Sequence, residues 1–294
     1  MDEFCRTVRK VDPMEALSFI LAERYLRTQS EFYEQTFTKF GIDPLSATIL
    51  EVGSGYGFFL CYARRILGWN IWGAEPGENE FSGRDEIAAQ LLLANAVDCE
   101  RLVRCTGEAL AFDDSSFDVV VSNDVLEHVT SPPKVLEESC RVLKPGGLIM
   151  FNIPNYHWIY EGHYNLPWIP SMSKSLARNY VSLFGRDPGF VDTLNFITPA
   201  SLSEMVRGID NLQLLQPLEY GCENFLSSRL EAYLSSHAGS ASKFSRKLTR
   251  SLTTICETQF FKSSTKFLAR STGLYHEMRL VARKVPVENA PEIA

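Results

Sequence analysis

Short apolar runs alternate with stretches of helical periodicity along the first half of the chain. Five of these runs have the length and the branched or aromatic composition of buried strands. They are Thr48–Val52, Asn70–Ala74, Arg101–Cys105, Phe117–Ser122 and Leu148–Ile153. Because strands that alternate with helices form parallel sheets covered on both faces, the pattern predicts a doubly wound α/β fold.

Helices are predicted before the first strand and after the fourth. Apolar residues recur at helical spacing from about Pro13 to Phe40, and a glycine and proline turn at 41–44 ends this amphipathic helix. A second helix extends from about Pro132 to Leu143, where lysine, proline and two glycines at 144–147 stop it.

The regular alternation breaks after Asn152 into the aromatic stretch N-Y-H-W-I-Y-E-G-H-Y-N-L-P-W-I-P. Such long irregular segments are usually functional, so we expect a cap over the core. Helical pattern resumes at Thr198-Pro199, followed by strands at Leu212–Tyr220 and Tyr275–Arg283. The predicted organisation is an N-terminal helical segment (1–47), a Rossmann-like core (48–153), a cap insertion (154–197), the rest of the core sheet with basic helices (198–284) and a flexible tail (285–294).

Charge and cysteine content narrow the class of protein. The net charge is −7, although the segment from Arg229 to Lys284 holds eleven basic residues against three acids. An acidic remainder argues against a dedicated nucleic-acid binder. Seven scattered cysteines without C-x-x-C spacing indicate reduced, mostly buried thiols. Without a signal peptide or a membrane-spanning run, the sequence predicts a soluble, cytoplasmic protein.

A glycine-rich turn follows the first strand in I-L-E-V-G-S-G-Y-G-F-F-L. Gly53, Gly55 and Gly57 allow a tight turn and a close approach to a ligand, as dinucleotide-binding folds also do. Glu51 decides between ligands, because its carboxylate repels a pyrophosphate but suits the ammonium and sulfonium of S-adenosylmethionine. Glu75, about 20 residues beyond the turn, is placed to accept both ribose hydroxyls.

Four sequence blocks carry a resemblance to a known family. In order they are E-V-G-S-G-Y-G, G-E-A-L-A-F-D-D-S-S-F-D-V-V-V-S, N-D-V-L-E-H-V and R-V-L-K-P-G-G-L-I-M. Together they resemble the class I S-adenosylmethionine-dependent methyltransferases, in particular their small-molecule branch, closely from Ile49 to Ile153. The resemblance implies a mostly parallel seven-stranded sheet and S-adenosylmethionine as cofactor, with S-adenosylhomocysteine as product.

The resemblance also implies roles for individual residues. The family places the methionine part of the donor over the loop from Glu51 to Gly57, and its adenine beside the turn Thr106, Gly107, Glu108. Thr106 departs from the aspartate that is common at its position, although its hydroxyl can accept one hydrogen bond. Asn123 matches the position that contacts the methionine end and faces the acceptor.

Asp124, Glu127 and His128 leave two alternatives open. Methyltransferases of the ubiquinone pathway and of small-RNA termini that use Mg²⁺ have their ligands at a similar E-x-x-E-H spacing, and His157 or His163 could add a ligand. In metal-free members the same L-E-H starts or braces a helix. We favour that structural role and predict a metal-independent reaction.

The acceptor side is expected in the cap. Methyl transfer is an in-line displacement, so the protein aligns the reactants, excludes water and removes a proton from a hydroxyl acceptor. His163 is the preferred general base, with His157 and Glu161 as alternatives. Five aromatic residues form either a wall of the acceptor pocket or the core of the cap: Tyr156, Trp158, Tyr160, Tyr164 and Trp168.

The sequence therefore predicts an O-methyltransferase acting on a small molecule, a sugar or a lipid-linked intermediate. The basic region from Lys243 to Arg270 suits an anionic acceptor, weak contact with an acidic membrane surface, or a plain solvated face. The alternatives are a noncatalytic S-adenosylmethionine-binding sensor or scaffold, a Mg²⁺-assisted O-methyltransferase and, more distantly, an NAD-dependent oxidoreductase.

Overall fold

A seven-stranded sheet is the centre of the computed structural model, which describes residues 23–77, 84–215 and 276–286. Two further short strands pair as a separate hairpin. In chain order the strands are β1 (Thr48–Val52), β2 (Asn70–Glu75), β3 (Leu102–Arg104), β4 (Phe117–Asn123), β5 (Leu143–Pro154), β6 (Tyr160–Glu161), β7 (Leu166–Pro167), β8 (Leu212–Leu214) and β9 (Glu277–Lys284).

The strand order in the sheet is β3-β2-β1-β4-β5-β9-β8. β1 pairs in parallel with β2 on one side and with β4 on the other, whereas β9 is antiparallel to both of its neighbours. The chain therefore reverses its direction of winding between β1 and β4. In open α/β sheets, ligands bind outside the carboxyl ends of the strands at this switch point.

Helices cover both faces of the sheet. They are α1 (Glu23–Phe40), α2 (Phe58–Arg65), α3 (Arg84–Ala94), α4 (Pro132–Val142), α5 (Lys174–Leu183), α6 (Phe190–Thr193) and α7 (Pro199–Arg207). None of the helices in the described ranges combines the length and the apolar composition that crossing a membrane requires.

Each face of the sheet has its own apolar core. Phe37 of α1 and Leu60 of α2 pack with Ile49 of β1 on one face, and Leu136 of α4 packs with Leu50 of β1 on the other. Neighbouring strand residues point to opposite faces of the sheet, and helices cover both faces, so Ile49 and Leu50 are both fully buried. Burying each such side chain stabilises the fold by about 1.5–3 kcal/mol. The predicted doubly wound, mostly parallel sheet is confirmed.

Local signals set several of the helix ends. α1 ends at Phe40, as predicted, and α7 begins after Thr198. The Thr198 hydroxyl accepts a hydrogen bond from the Ser201 amide, and the Ser201 hydroxyl accepts one from the Thr198 amide. This reciprocal capping pairs two amides that would otherwise lack intrahelical partners.

The cap has a core of its own. Tyr156, Tyr164 and Trp168 are buried in it, and Phe196 stacks on Tyr156 with 4.5 Å between the ring centroids. Trp158 is also buried, while Tyr160 is half-buried. Tyr156, Tyr164 and Trp168 therefore belong to the core of the cap, whereas Trp158 and Tyr160 lie outside this cluster.

Element boundaries differ from the sequence-based ones in a few places. β5 begins at Leu143 instead of Leu148, because Leu143 pairs with Phe117 of β4 before the register shifts. Within the described residues, β8 has three residues of the predicted Leu212–Tyr220 strand. The start of the first helix, residues 216–275 with most of the basic region, and residues 287–294 of the tail lie outside the described ranges.

The described cysteines fit the expectation of reduced thiols. All four are free: Cys61 and Cys140 are buried, and Cys99 and Cys105 are half-buried.

Candidate functional site

The glycine turn after β1 packs closely against the turn after β4. Gly53 has a φ of +77°, in the left-handed region that favours glycine. A Cβ atom at this position would lie 2.3 Å from Cγ2 of Val125. A side chain at residue 53 would therefore displace the segment that begins at Asp124.

Glu75 lies at the end of β2 and accepts a hydrogen bond from the loop. Its Oε2 atom is 2.9 Å from the amide nitrogen of Gly55, and the side chain is buried. The contact joins two of the sequence-predicted donor residues and fixes the loop beside the end of β2. A role of Glu75 with the ribose stays a prediction.

Glu51 is a buried carboxylate at the end of β1. No described residue gives its Oε2 atom a hydrogen bond. Burial raises the pKa of Glu51 to about 8, and the nearby Glu75 carboxylate adds to the rise. The cost of charging a buried acid falls when a cation binds beside it, so Glu51 is suited to a positively charged ligand group.

Asn123 is held by two side chains that the sequence analysis did not single out. The Tyr33 hydroxyl and Asn152 Nδ2 each donate to Asn123 Oδ1 at 2.8 Å. No described residue accepts a hydrogen bond from Asn123 Nδ2, which is buried. The two hydrogen bonds therefore fix the orientation of the Asn123 side-chain amide and leave its Nδ2 donor without an acceptor among the described residues. Asn152 could have been found from register, since it lies opposite Asn123, whereas no sequence signal marks Tyr33.

The three residues of the turn after β3 that are predicted to lie beside adenine have different surroundings. Thr106 is exposed, and Gly107 packs against Val52 of β1, where an added Cβ would lie 3.1 Å from Cγ1. Glu108 Oε1 accepts hydrogen bonds from the amides of Thr130 and Ser131, just before α4. The Glu108 carboxylate thus braces the start of α4, and a contact of this turn with adenine would come from its backbone or from Thr106.

The segment from Asp124 to Val129 is a turn, and α4 starts only at Pro132. Glu127 and His128 therefore do not begin a helix. Asn195 of the cap holds the turn, because its amide donates to the Glu127 carbonyl and its Nδ2 donates to the carbonyls of Leu126 and Val129.

This turn meets the cap histidine His163. The Nε2 atoms of His128 and His163 are 3.2 Å apart, and Nε2 of His128 is 3.8 Å from Oε1 of Glu127. The other ring nitrogen of His163, Nδ1, is 2.6 Å from Oε1 of the buried Glu161. The structure thus brings together four of the side chains that the sequence analysis weighed as bases or ligands.

His157 is placed elsewhere in the cap. Its Nδ1 atom is 2.6 Å from the Ser171 hydroxyl, and its amide donates to Asn155 Oδ1. It is not part of the group formed by Glu127, His128 and His163.

Several acids share the space around this group. Glu127 is fully buried, and burial together with the nearby Asp124, Glu161 and Glu277 carboxylates raises its pKa. Asp124 keeps an exposed surface, yet the protein packed around it and the Glu277 carboxylate raise its pKa to about 7. Glu277, which β9 brings close to this group, was missed because its strand is 150 residues away in sequence.

Residues 50–151 match a family model described as a methyltransferase domain. This part of the chain is a methyltransferase domain. The match confirms the resemblance to the S-adenosylmethionine-dependent methyltransferases for the core of the chain.

Curated relatives of this methyltransferase domain are themselves uncharacterized. An "Uncharacterized methyltransferase" of Mycobacterium sp. (strain JLS) is 36% identical over 121 residues, 41% of this chain and 44% of the relative. One of Mycobacterium leprae (strain Br4923) is 34% identical over 123 residues, 42% of this chain and 43% of the relative. The chain thus matches less than half the length of these relatives.

Solved structures extend the likeness beyond the domain. A putative sarcosine dimethylglycine methyltransferase of Galdieria sulphuraria has a TM-score of 0.53 and 16% identity, covering 88% of this chain and 86% of its own. Geranyl diphosphate C-methyltransferase of Streptomyces coelicolor A3(2) has a TM-score of 0.51 and 14% identity, covering 88% and 80%. At these identities the two structures show the fold alone.

Proposed function

We propose that this protein is an S-adenosylmethionine-dependent methyltransferase that methylates a hydroxyl oxygen of a small molecule, a sugar or a lipid-linked intermediate. The methyltransferase domain supports the reaction class. The choice of a hydroxyl acceptor rests on the position of the cap histidine His163 beside the turn after β4.

One observation carries the choice of donor. Two buried polar atoms at neighbouring strand ends have no partner among the described residues, and they are complementary: Oε2 of Glu51 is an acceptor and Nδ2 of Asn123 is a donor. An amino-acid group satisfies both, because its ammonium suits the Glu51 carboxylate and its carboxylate suits the Asn123 amide. The residues present therefore fit the methionine part of S-adenosylmethionine.

The remaining donor residues fit the rest of that molecule. Gly53, Gly55 and Gly57 leave three positions of the loop without side chains, and Glu75 lies at the end of β2, where a ribose diol would meet it. When bound, S-adenosylmethionine supplies a methyl group already activated by its sulfonium. The residues of the chain need to orient the two reactants, exclude water and take up a proton.

His163 is the group that we assign to the acceptor side. The Glu161 carboxylate at 2.6 Å favours a proton on Nδ1 of His163, which leaves Nε2 with the lone pair. That lone pair faces the turn directly after Asn123, where the acceptor would approach. The contact of His157 with Ser171 makes it a weaker candidate.

The test of the proposed function is transfer of a labelled methyl group. The protein is incubated with labelled S-adenosylmethionine and extract from its native cell, and the labelled product is identified by mass spectrometry. We expect a methyl ether or ester on a small molecule. Label on nitrogen or carbon would refute oxygen transfer. Donor binding without any transfer would favour the noncatalytic sensor instead.

A further inference from the structure

Three ligating atoms converge between the turn after β4 and the cap. One carboxylate oxygen of Glu127 and one ring nitrogen each of His128 and His163 all lie within 4.8 Å of one another. Two ligands of one tetrahedral ion with metal–nitrogen bonds of about 2.0–2.1 Å are about 3.3 Å apart. The 3.2 Å between the two Nε2 atoms matches this separation.

Neighbouring residues orient one of these atoms in the way that metal ligands require. Glu161 Oε1 lies 2.6 Å from Nδ1 of His163, and such a carboxylate fixes the tautomer and orientation of a metal-binding imidazole. Glu161 is itself held by the Tyr164 amide at 2.6 Å. His163 therefore presents the lone pair of Nε2 toward His128 and Glu127.

Glu127 gives a second, independent reason to expect a cation. Its side chain is fully buried, and neither of its oxygens accepts a hydrogen bond from another described residue. The carboxylates that act on it most are those of Asp124, Glu161 and Glu277, which add negative charge. A buried carboxylate in acidic surroundings is stabilised by a bound cation.

We propose that Glu127, His128 and His163 bind one divalent transition-metal ion. Two imidazoles and a carboxylate suit Zn²⁺, Co²⁺, Mn²⁺ or Fe²⁺, whereas Mg²⁺ prefers oxygen ligands in octahedral geometry. The proposal takes up the metal-binding alternative of the sequence in place of the favoured metal-free one, because the fold brings His163 to the L-E-H turn.

The geometry also indicates what such an ion does. Glu127 closes the protein side of the site, while the His128 and His163 side chains keep 29% and 19% of their surface exposed. Coordination positions on the exposed side can hold an acceptor oxygen and lower the pKa of its hydroxyl, so that its proton passes to water. This role rests on the proposed methyltransferase function; the binding of the ion does not. In this acceptor role, His163 binds the ion and does not itself take up the proton of the acceptor.

The first experiment measures metal binding without donor or acceptor. The full chain is stripped with a chelator, dialysed and titrated with Co²⁺, Zn²⁺, Mn²⁺ and Mg²⁺ by calorimetry, and Co²⁺ binding is followed by its visible absorption. We expect one ion per chain, and Zn²⁺ and Co²⁺ bound far more tightly than Mg²⁺. Glu127→Gln and His163→Gln should each weaken binding at least as much as Glu161→Gln, which should weaken it roughly 10- to 100-fold.

His157→Gln is the matched control, since it removes a cap histidine outside the group and should leave metal binding unchanged. Binding of S-adenosylhomocysteine shows that each variant keeps its donor site. Equal metal binding by the wild type and by His163→Gln would overturn the proposal and leave the two histidines as a hydrogen-bonded pair. Tight metal binding with full methyl transfer in excess chelator would overturn the acceptor role alone. Failure to bind metal leaves donor binding and transfer intact, so it is distinguishable from failure of the proposed function.

Discussion

Tyr33 and Asn123 are 90 residues apart in sequence and joined by a hydrogen bond of 2.8 Å. The bond connects α1 to the end of β4, where the methionine part of the donor is proposed to bind. Because Asn152 donates to the same oxygen, the orientation of the Asn123 amide is fixed, and its NH₂ group has no acceptor among the described residues.

We expect Tyr33→Phe to weaken donor binding by about 1 kcal/mol, or roughly fivefold, because it removes one of the two donors that orient Asn123. Calorimetry with S-adenosylhomocysteine measures the change. Tyr62→Phe, in α2, removes a hydroxyl that makes no bond in this network and should have no effect. An equal loss in both variants would mean that the Tyr33 hydroxyl does not act through Asn123.

Glu75→Ala should weaken donor binding by about 1.5–3 kcal/mol, or roughly 10- to 150-fold, while the fold stays intact. The physical reason is the loss of hydrogen bonds to a charged group, both to the ribose and to the Gly55 amide. Glu100→Ala, at an exposed acid just before β3, serves as the control. An unchanged dissociation constant would remove Glu75 from the ribose site.

Donor binding should release a proton at Glu51. Its pKa is about 8 in the folded protein without donor and about 4.3 in an unfolded chain, so the folded protein carries the extra proton between these values. A bound ammonium favours the carboxylate and lowers this pKa. Donor affinity should therefore rise with pH from 5.5 to 7, by at most about tenfold per unit. Because the folded protein holds this proton more tightly than the unfolded chain, the contribution of Glu51 to stability without donor falls as pH rises over that range.

Calorimetry in buffers of different ionisation enthalpy measures the released proton directly. Glu51→Gln removes the titrating group at constant shape, and its donor affinity should be lower and nearly independent of pH. A wild-type slope that survives in this variant would assign the proton to another group.

Replacing His163 by Gln should lower turnover by roughly 10²- to 10⁴-fold, with donor affinity little changed. The expectation holds whether Nε2 takes the acceptor proton or binds a metal ion, since either role uses its lone pair. Turnover is measured with the acceptor found by label transfer, beside His157→Gln as the matched substitution. Wild-type turnover in His163→Gln would leave positioning without a base as the explanation.

Gly53→Ala should destabilise the protein and abolish donor binding. Its backbone has a φ of +77°, and the new Cβ would lie 2.3 Å from Val125 Cγ2. Strain at such a position costs about 1–3 kcal/mol, which denaturant unfolding can measure. Adding Val125→Ala should recover part of the stability, because it removes the clashing methyl groups. If the double variant were no more stable than Gly53→Ala, the loss of stability would come from backbone strain at residue 53 alone.

The order of elements and the placement of the proposed donor residues at strand ends followed from the sequence because their signals are local. The strand β1 and the start of α7 at Thr198 were predicted, since apolar runs, proline and capping residues act on their immediate neighbours. Glu51 and Glu75 lie at neighbouring strand ends because parallel strands place their carboxyl ends at one edge of the sheet, and their contact with the donor stays a prediction.

Tertiary structure decided the partners of those residues. Tyr33 and Glu277 reach the site from α1 and β9, and no local pattern reveals these contacts, whereas the strand register indicates Asn152 of β5. The cap aromatics could line a pocket or fill a core, and only the folded structure shows that Tyr156 and Trp168 pack together in the core of the cap. The meeting of His163 with Glu127 and His128 depends likewise on how the cap folds back on the turn after β4. Sequence determines which groups are available, whereas charge and metal chemistry depend on distances that the folded chain alone sets.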